Sequence, residues 1–473
     1  MMPEAFLVLW LVVVFVADFC LMKDAQKTKK LGLITTGALI CQTCLLFGVE
    51  APMEAFGGIY VTSQMVNVMK IILTAGTLIV VIMSQTWLSG ERSTFSVQRN
   101  SGEFFMLVLS TLLGMYMMMS SGSFLMFFLG LEMASVPMAC MVAFDKDCKN
   151  SAEGAAKYIL VATFSSGVML FGISFIYAAT GSLYFDNVAA ALSTTPLSIM
   201  GLVFFFAGLG FKISLVPFHF WTADTYQGAP TPVTGYLSVI SKGAAALTLC
   251  TILMKAFQPM VHYWDWMLYI VIVLSITVAN LMAIRQSELK RFMAFSSISQ
   301  AGYIMLAVVG NSQLGVAALT YYVLVYVVAN MAVFTVISVV EQNNGGRTDM
   351  AAYNGFYQTN PKLSFLMTLA LFSLAGIPPF AGMFSKFFVF MAGVENGDPM
   401  AYGVVFVALV NTVVSLYYYL LIVKAMYIIK TDSPLPTFRS DFNTRLALAI
   451  CTCGIALFGV CSCVYEWIAA AGI

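Results

Sequence analysis

The chain has 473 residues, of which 60% are hydrophobic and only 10% charged, with 23 Lys or Arg against 22 Asp or Glu and a formal net charge of +1. A soluble domain is about 25% charged, so this chain cannot cover itself with a water-facing shell. The net charge by itself says nothing about partners, but its distribution does.

A membrane span needs about 20 apolar residues. Taken in order, fourteen stretches qualify: 3–22, 31–49, 67–88, 104–120, 122–143, 156–180, 197–220, 231–257, 264–284, 292–310, 313–340, 362–394, 401–429 and 445–470. Strands of about ten alternating residues, the signature of a membrane barrel, are not evident. The predicted fold class is therefore an all-α polytopic membrane protein. The first run opens Met1-Met2-Pro3-Glu4 without a basic segment before it and is long enough to span, so it reads as a retained helix.

Of the 23 basic residues, 16 lie in alternate loops. They run from Lys23 to Lys30 after helix 1, then Arg92 and Arg99 after helix 3, and Lys146 and Lys149 after helix 5. The series resumes with Arg285, Lys290 and Arg291, then Arg347 and Lys362, then Lys430, Arg439 and Arg445. The intervening loops hold Glu50, Glu54, Asp186, Asp265, Glu395 and Asp398 but essentially no Lys or Arg. By the positive-inside rule both termini are expected on the non-cytoplasmic side.

Cys41 and Cys44 form CxxC, and Cys451/Cys453 and Cys461/Cys463 form CxC pairs. All lie in apolar helical runs without His neighbours or the Gly- and Pro-rich setting of a cluster, so they read as small packing residues. No dinucleotide fingerprint or phosphate loop is evident. No metal or redox cofactor is expected in this chain.

Seven lysines fall outside the basic loops. Lys70, Lys157, Lys255 and Lys424 lie near span ends, where a long side chain can reach the headgroups. Lys212, Lys242 and Lys386 lie well inside helices 7, 8 and 12, and a lysine at the centre of a lone helix costs about 2.5–3.5 kcal/mol. Glu132 in helix 5 is the matching acidic anomaly. One carboxylate can form a static ion pair with one lysine, yet three lysines on separate helices exceed what it can neutralise. Desolvation disfavours a charged ammonium and a nearby carboxylate restores it. The excess therefore points to groups that exchange protons.

Two spans carry helix breakers at membrane depth: Phe211-Lys212-Ile213-Ser214-Leu215-Val216-Pro217 in helix 7 and Gly376-Ile377-Pro378-Pro379 in helix 12. Proline removes a donor and clashes with the preceding turn. Phe206 to Lys212 matches Phe380 to Lys386 without gaps, four of seven positions being identical. Broken helices at corresponding places in two halves point to inverted repeats. The predicted organisation is helices 1–3 in 1–100, a first five-helix repeat in 101–258, a second in 259–430 and a last helix in 431–473.

The segments Gly130-Leu131-Glu132, Ala156-Lys157-Tyr158, Pro217-Phe218-His219-Phe220-Trp221 through Tyr226-Gln227-Gly228-Ala229-Pro230-Thr231-Pro232, Ser241-Lys242 and Ser296 to Tyr303 resemble the antiporter-like family. That family is shared by complex I, related hydrogenases and multisubunit cation/proton antiporters. The Tyr-Gln-Gly-Ala-Pro-Thr-Pro version and the lysine in helix 8 are similar to the subunit N type. Ala223 departs from a proline common in the family. The resemblance implies proton translocation coupled to quinone reduction elsewhere, with Glu132 paired to Lys212, Lys242 at the centre and Lys386 as the terminal group. His219 would connect them beside the helix 7 break, although a structural histidine reads equally well, and Lys157 would belong to the input path. It further implies a bacterial inner-membrane enzyme complex, NADH:quinone oxidoreductase. Quinone, flavin and iron–sulfur clusters would reside in partner subunits. The partners implied are the sister subunit M and small subunits of the K and J type, with the lipid bilayer and no nucleic acid. The alternatives are a subunit of a sodium/proton antiporter or membrane-bound hydrogenase, and a structural scaffold with static ion pairs.

The orientation is directly testable. A cysteine label placed near Lys27 is expected to react only from the cytoplasmic side and one near Glu395 only from the opposite side; the reverse pattern would overturn the topology.

Overall fold

A computed structural model of the chain describes every residue except 25, 91–94, 432–433, 462 and 473. Arg92, one of the predicted basic-loop residues, lies outside the described residues. Among the described residues thirteen helices are long and apolar enough to cross a membrane, and the shorter helices Pro361–Ala375 and Ala381–Gly393 together form one interrupted span. The fourteen predicted stretches are thus accounted for, and they are numbered here as spans 1–14. In order they are Met2–Cys20, Lys27–Phe47, Gln64–Leu88, Ser101–Met119, Phe124–Val142, Lys149–Thr180, Pro196–Ile213, Thr231–Lys255, Gln258–Ile284, Leu289–Val309, Gln313–Asn343, Pro361–Gly393, Pro399–Tyr427 and Phe442–Val460. Span 7 continues past its break as Phe220–Gly228.

Helix starts follow local capping chemistry. Ser63, Ser123, Thr195 and Ser312 each accept a backbone N–H from three residues on, which supplies an otherwise unmet donor at the start of spans 3, 5, 7 and 11. Spans 4 and 5 pack backbone to backbone: a Cβ on Gly114 would sit 2.4 Å from the Ala134 nitrogen, and one on Gly130 2.4 Å from that of Met118. Small residues permit this approach where no hydrophobic effect draws helices together in lipid. Spans 10 and 11 form the centre, with 100% and 94% of their apolar windows enclosed, whereas spans 1 and 14 lie at the rim with 22% and 28%.

Several predicted boundaries shift. Span 6 begins at Lys149 rather than 156, because its first turns are polar and carry the Glu153–Lys157 pair. Span 7 runs on to Gly228, where the predicted stretch ended at 220, since its second half is too polar to register as apolar. The last predicted stretch is split into Phe442–Val460 and Cys463–Ala469. A two-stranded ribbon, Met53–Ala55 with Tyr60–Thr62, occupies the loop between spans 2 and 3. The cysteines expected to pack divide: Cys451 is buried, but Cys41, Cys44, Cys453 and Cys463 are exposed, because they lie on helix faces turned away from the bundle.

Both interrupted spans break in the same way. The first half-helix ends at a left-handed residue, Ser214 (φ 67°) or Gly376 (φ 89°). Leu215 N–H then bonds Gly210 carbonyl at 2.9 Å, and Ile377 N–H bonds Phe372 carbonyl at 3.1 Å. Phe218 N–H returns to Leu215 carbonyl and Phe380 N–H to Ile377 carbonyl. These are Schellman-type ends. They equate Ser214–Phe218 with Gly376–Phe380, so the ungapped match of Phe206–Lys212 to Phe380–Lys386 is not the structural correspondence. It pairs residues before one break with residues after the other.

Lys70 corrects another expectation. It does not reach the headgroups but is wholly enclosed, and its Nζ lies 2.6 Å from Glu4 Oε1, with Tyr60 OH 3.1 Å from both Glu4 oxygens. Glu4 is therefore a second acidic residue inside the bundle. Lys424 is exposed and Lys255 half-buried, as span-end lysines should be. Breaking one side of a buried pair costs about 3–5 kcal/mol. Lys70→Met and Glu4→Gln are each expected to lower the melting temperature of the purified protein clearly, and the double variant Glu4→Gln/Lys70→Met to recover much of the loss. Equal and additive losses would show that the two groups do not stabilise each other.

Candidate functional site

The three lysines inside spans 7, 8 and 12 are 4%, 2% and 4% exposed, and among the described residues none has a carboxylate within 4.0 Å. Each is instead held by neutral groups. Lys212 is the next-to-last residue of the first half of span 7. Its Nζ donates to Ser135 Oγ at 2.9 Å and to Tyr158 OH at 3.1 Å. Ser135 lies three residues along span 5 from Glu132, on nearly the same face.

The expected direct contact between Glu132 and Lys212 is not formed. Glu132 is half-buried and its Oε1 has no hydrogen-bond partner, while the attraction between the two acts through space. Ser135 and Tyr158 occupy the ammonium's donors, which leaves the carboxylate poised beside the lysine without neutralising it by contact.

Lys242 starts the regular helix of span 8 immediately after a π-helical segment, Leu237–Ser241. Such segments re-aim side chains and are frequent at functional sites. Lys242 Nζ donates to Ser297 Oγ at 2.8 Å and stands 5.5 Å from the centre of the Tyr226 ring. Ring faces attract cations without neutralising them. His219 stands at the start of the second half of span 7 without capping it, is buried and leaves its Nδ1 unpartnered.

Beyond Lys242 the polar groups continue along span 10. Ser296, Gln300 and Tyr303 share one face at helical spacing. Ser296 Oγ and Tyr419 OH are 2.5 Å apart, and Gln300 Nε2 donates to Tyr419 OH at 3.3 Å. Tyr322 OH donates to Gln300 Oε1. Gln300 Nε2 also lies 3.5 Å from the Leu374 carbonyl, next to Ala375, whose carbonyl accepts from Lys386 Nζ at 2.9 Å. A small cavity lined by Gln300, Tyr322, Ser385 and Lys386 joins these groups. Lys386 sits 5.1 Å from the Tyr303 ring centre.

Lys386 thus satisfies a carbonyl freed by the break, at the negative end of a half-helix. Gly376 makes room for its stem, since a Cβ there would lie 3.1 Å from Lys386 Cδ. In span 7 the Trp221 indole N–H donates at 3.2 Å to Phe211 carbonyl, which also accepts the Ser214 N–H, so this bond is not the counterpart of the Lys386 one.

Lys157 is placed apart from these groups. It is 43% exposed and pairs with Glu153 and Asp224 at 2.7 Å each, and Arg291 joins Asp224 at 2.6 Å. Its chain neighbour Tyr158 is the residue that reaches Lys212. Lys290, read from sequence as a loop charge, is buried and bonded to Ala229 carbonyl at 3.1 Å and Glu341 at 3.2 Å. It borders a polar cavity of about 570 Å³ that is also lined by Asp145, Gln227, Glu288 and Glu341. Burial pushes the Asp145 carboxyl above its ordinary range, against a hydrogen bond from the Asp147 backbone and with smaller additions from the Asp147 and Glu341 charges. Sequence reasoning missed Ser135, Tyr158, Ser297, Gln300 and Tyr419. The run of hydroxyls and amide within Ser296 to Gln300, inside an apolar span, was the available signal.

Interrupted helices with lysines buried beside the breaks define a polytopic bundle of the antiporter-like class. The chain belongs to the NADH:quinone oxidoreductase/Mrp antiporter transmembrane family, whose model matches residues 121–414. It is 59% identical over 411 residues to NADH-quinone oxidoreductase subunit N of Phocaeicola vulgatus, covering 87% of this chain and 86% of that protein. The subunit N of Azobacteroides pseudotrichonymphae is 50% identical over 88% of this chain and 85% of its own length. Among solved structures, a chain of respiratory complex I from Thermus thermophilus superposes with TM-score 0.83 at 30% identity, covering 99% of this chain and 100% of that one. The Mrp complex of Dietzia sp. has a chain of the same fold, with TM-score 0.84 at 19% identity, covering 99% and 96%.

Ser297 provides the only hydrogen bond to Lys242 Nζ among the described residues. A hydrogen bond to a charged group is worth about 1.5–3 kcal/mol, so Ser297→Ala is expected to lower proton flux per assembled complex about tenfold or more. Ser297→Thr, which keeps the hydroxyl, should retain most of it. Unchanged flux in the alanine variant would remove Ser297 from the path.

Proposed function

We propose that the chain is a proton-translocating membrane-arm subunit of a respiratory complex I, moving protons through Glu132, Lys212, Lys242 and Lys386 in step with quinone reduction in other subunits. The observation that carries this reading is a line of enclosed lysines held by hydroxyls, carbonyls and rings. A buried ammonium without a counter-ion can give up its proton at less cost than one locked to a carboxylate. The serines, tyrosines and Gln300 between Lys242 and Lys386 supply groups that can pass a proton on. Motion of the Glu132 carboxylate towards or away from Lys212 would bias the first step.

Membership of the family and likeness to subunit N support a place in NADH:quinone oxidoreductase, beside subunit M and small subunits of the K and J type. Flavin, iron–sulfur clusters and quinone would be held by those partner subunits. The alternation of basic loops supports a bacterial inner membrane with both termini on the non-cytoplasmic side. The likeness to the Dietzia Mrp chain is one of fold alone, whereas the 59% and 50% identities are to subunit N, so the sodium/proton antiporter is the weaker reading.

Lys386→Ala is expected to reduce proton pumping and coupled quinone reduction together, measured against the amount of assembled complex. Lys386→Arg should not fully rescue it, because guanidinium stays charged and cannot release a proton. Normal pumping in the alanine variant would leave Lys386 as a cap on the helix break and nothing more.

A further inference from the structure

A cavity of about 760 Å³ opens between the first half of span 12 and span 14, away from the lysine axis. Its mouth carries Lys362, Arg439 and Arg445, all exposed, and its inner wall is Leu363, Leu366, Leu448 and Ala449. Among the described residues none of the three cations has a carboxylate within 4.0 Å. Asp441 stands at the same turn but does not line the cavity.

The mouth is built in advance of any occupant. Asn360 is 6% exposed, donates from Nδ2 to Pro436 carbonyl at 3.2 Å and accepts from Phe438 N–H at 3.3 Å. Thr437 Oγ1 donates to Thr359 carbonyl at 3.1 Å. The loop bearing Arg439 is thereby tied to the start of span 12. Both helices that flank the mouth, Pro361–Ala375 and Phe442–Val460, also start there without a side-chain cap. Their open N–H groups and dipoles add to the attraction for an anion.

From these features we infer a binding site for an anionic phospholipid, its phosphate held by Lys362, Arg439 and Arg445 and an acyl chain lying along Leu366, Leu448 and Ala449. The dimensions suit this ligand. From Arg445 to Thr452 the wall descends about 10 Å at 1.5 Å per residue, which takes it from headgroup level into hydrocarbon. Guanidinium groups bind phosphate in a fork, and basic pockets between membrane helices are suited to anionic headgroups. A free phosphate would use the same cations but leave the apolar wall without a role.

The test counts phospholipids by mass spectrometry in the intact complex, purified in mild detergent from the same membranes. The Lys362→Gln/Arg439→Gln/Arg445→Gln complex is expected to retain one anionic phospholipid fewer than the unaltered complex. Ala449→Trp, which fills the acyl groove and leaves the charges in place, should lose the same lipid and guards against failed assembly of the triple variant. Excess inorganic phosphate should not displace the lipid from the unaltered complex. Equal counts in the assembled variants would overturn the proposal, as they would if a neighbouring subunit filled the cavity. So would retention of a neutral phospholipid at this site, and ready exchange for inorganic phosphate would reduce it to an ion site.

Discussion

An ammonium group enclosed in the bilayer interior needs polar or ring partners, because hydrocarbon offers none and a bare charge is prohibitive. In this chain the need is answered in two ways, and the difference organises the molecule. Lys70 is answered by a carboxylate at 2.6 Å, with a tyrosine closing the ring around it. Lys212, Lys242 and Lys386 are answered by hydroxyls, one carbonyl and aromatic faces. The first arrangement locks a charge and holds the N-terminal helix against span 3. The second stabilises a charge only in part, which is what the proposed proton exchange requires.

The broken helices follow from the same constraint. A break at membrane depth releases carbonyls and amides that hydrocarbon cannot satisfy. Each break here is closed first by a Schellman-type end and then by groups brought from elsewhere. Val216 N–H donates to Ser275 Oγ at 2.9 Å, Trp221 serves Phe211 carbonyl, and Gly382 N–H donates to Ser373 Oγ at 3.2 Å. At the second break the service to the freed carbonyl is given to a lysine. Backbone repair and charge placement are thus the same act at Lys386 and separate acts in span 7. The consequence is an asymmetry between the two halves, with Lys212 just before its break and Lys386 after the other.

Position within the bundle matters as much as local chemistry. Spans 10 and 11 are almost wholly enclosed, so a polar residue on either has only protein groups to bond. Ser296, Gln300, Tyr322 and the facing Tyr419 find one another, whereas Ser297 accepts from Lys242 and bonds Tyr226. On the rim side chains carry no such obligation, and Cys453 there faces outward.

The number of spans, the two broken helices and the three deep lysines were legible in the sequence because each is a one-dimensional signal. A run of twenty apolar residues, a proline within it or a charge far from its ends has a cost that does not depend on neighbours. Partners were not legible. Nothing in the chain order says that Ser135, and not Glu132, takes the Lys212 ammonium, since the two lie one turn apart and only the approach of span 7 decides between them. Lys70 looked like a span-end lysine, and its partner Glu4 did not stand out, until span 1 was set beside span 3. The repeat match of Phe206–Lys212 failed for a related reason: apolar letters recur by chance, whereas the left-handed caps at Ser214 and Gly376 mark the correspondence through backbone geometry. Sequence by itself determined how many times the chain crosses and which charges must be explained. Tertiary structure alone decided who explains them, because in a low-dielectric interior the energy of a charge is set by the few atoms within hydrogen-bonding reach, and those come from distant parts of the chain.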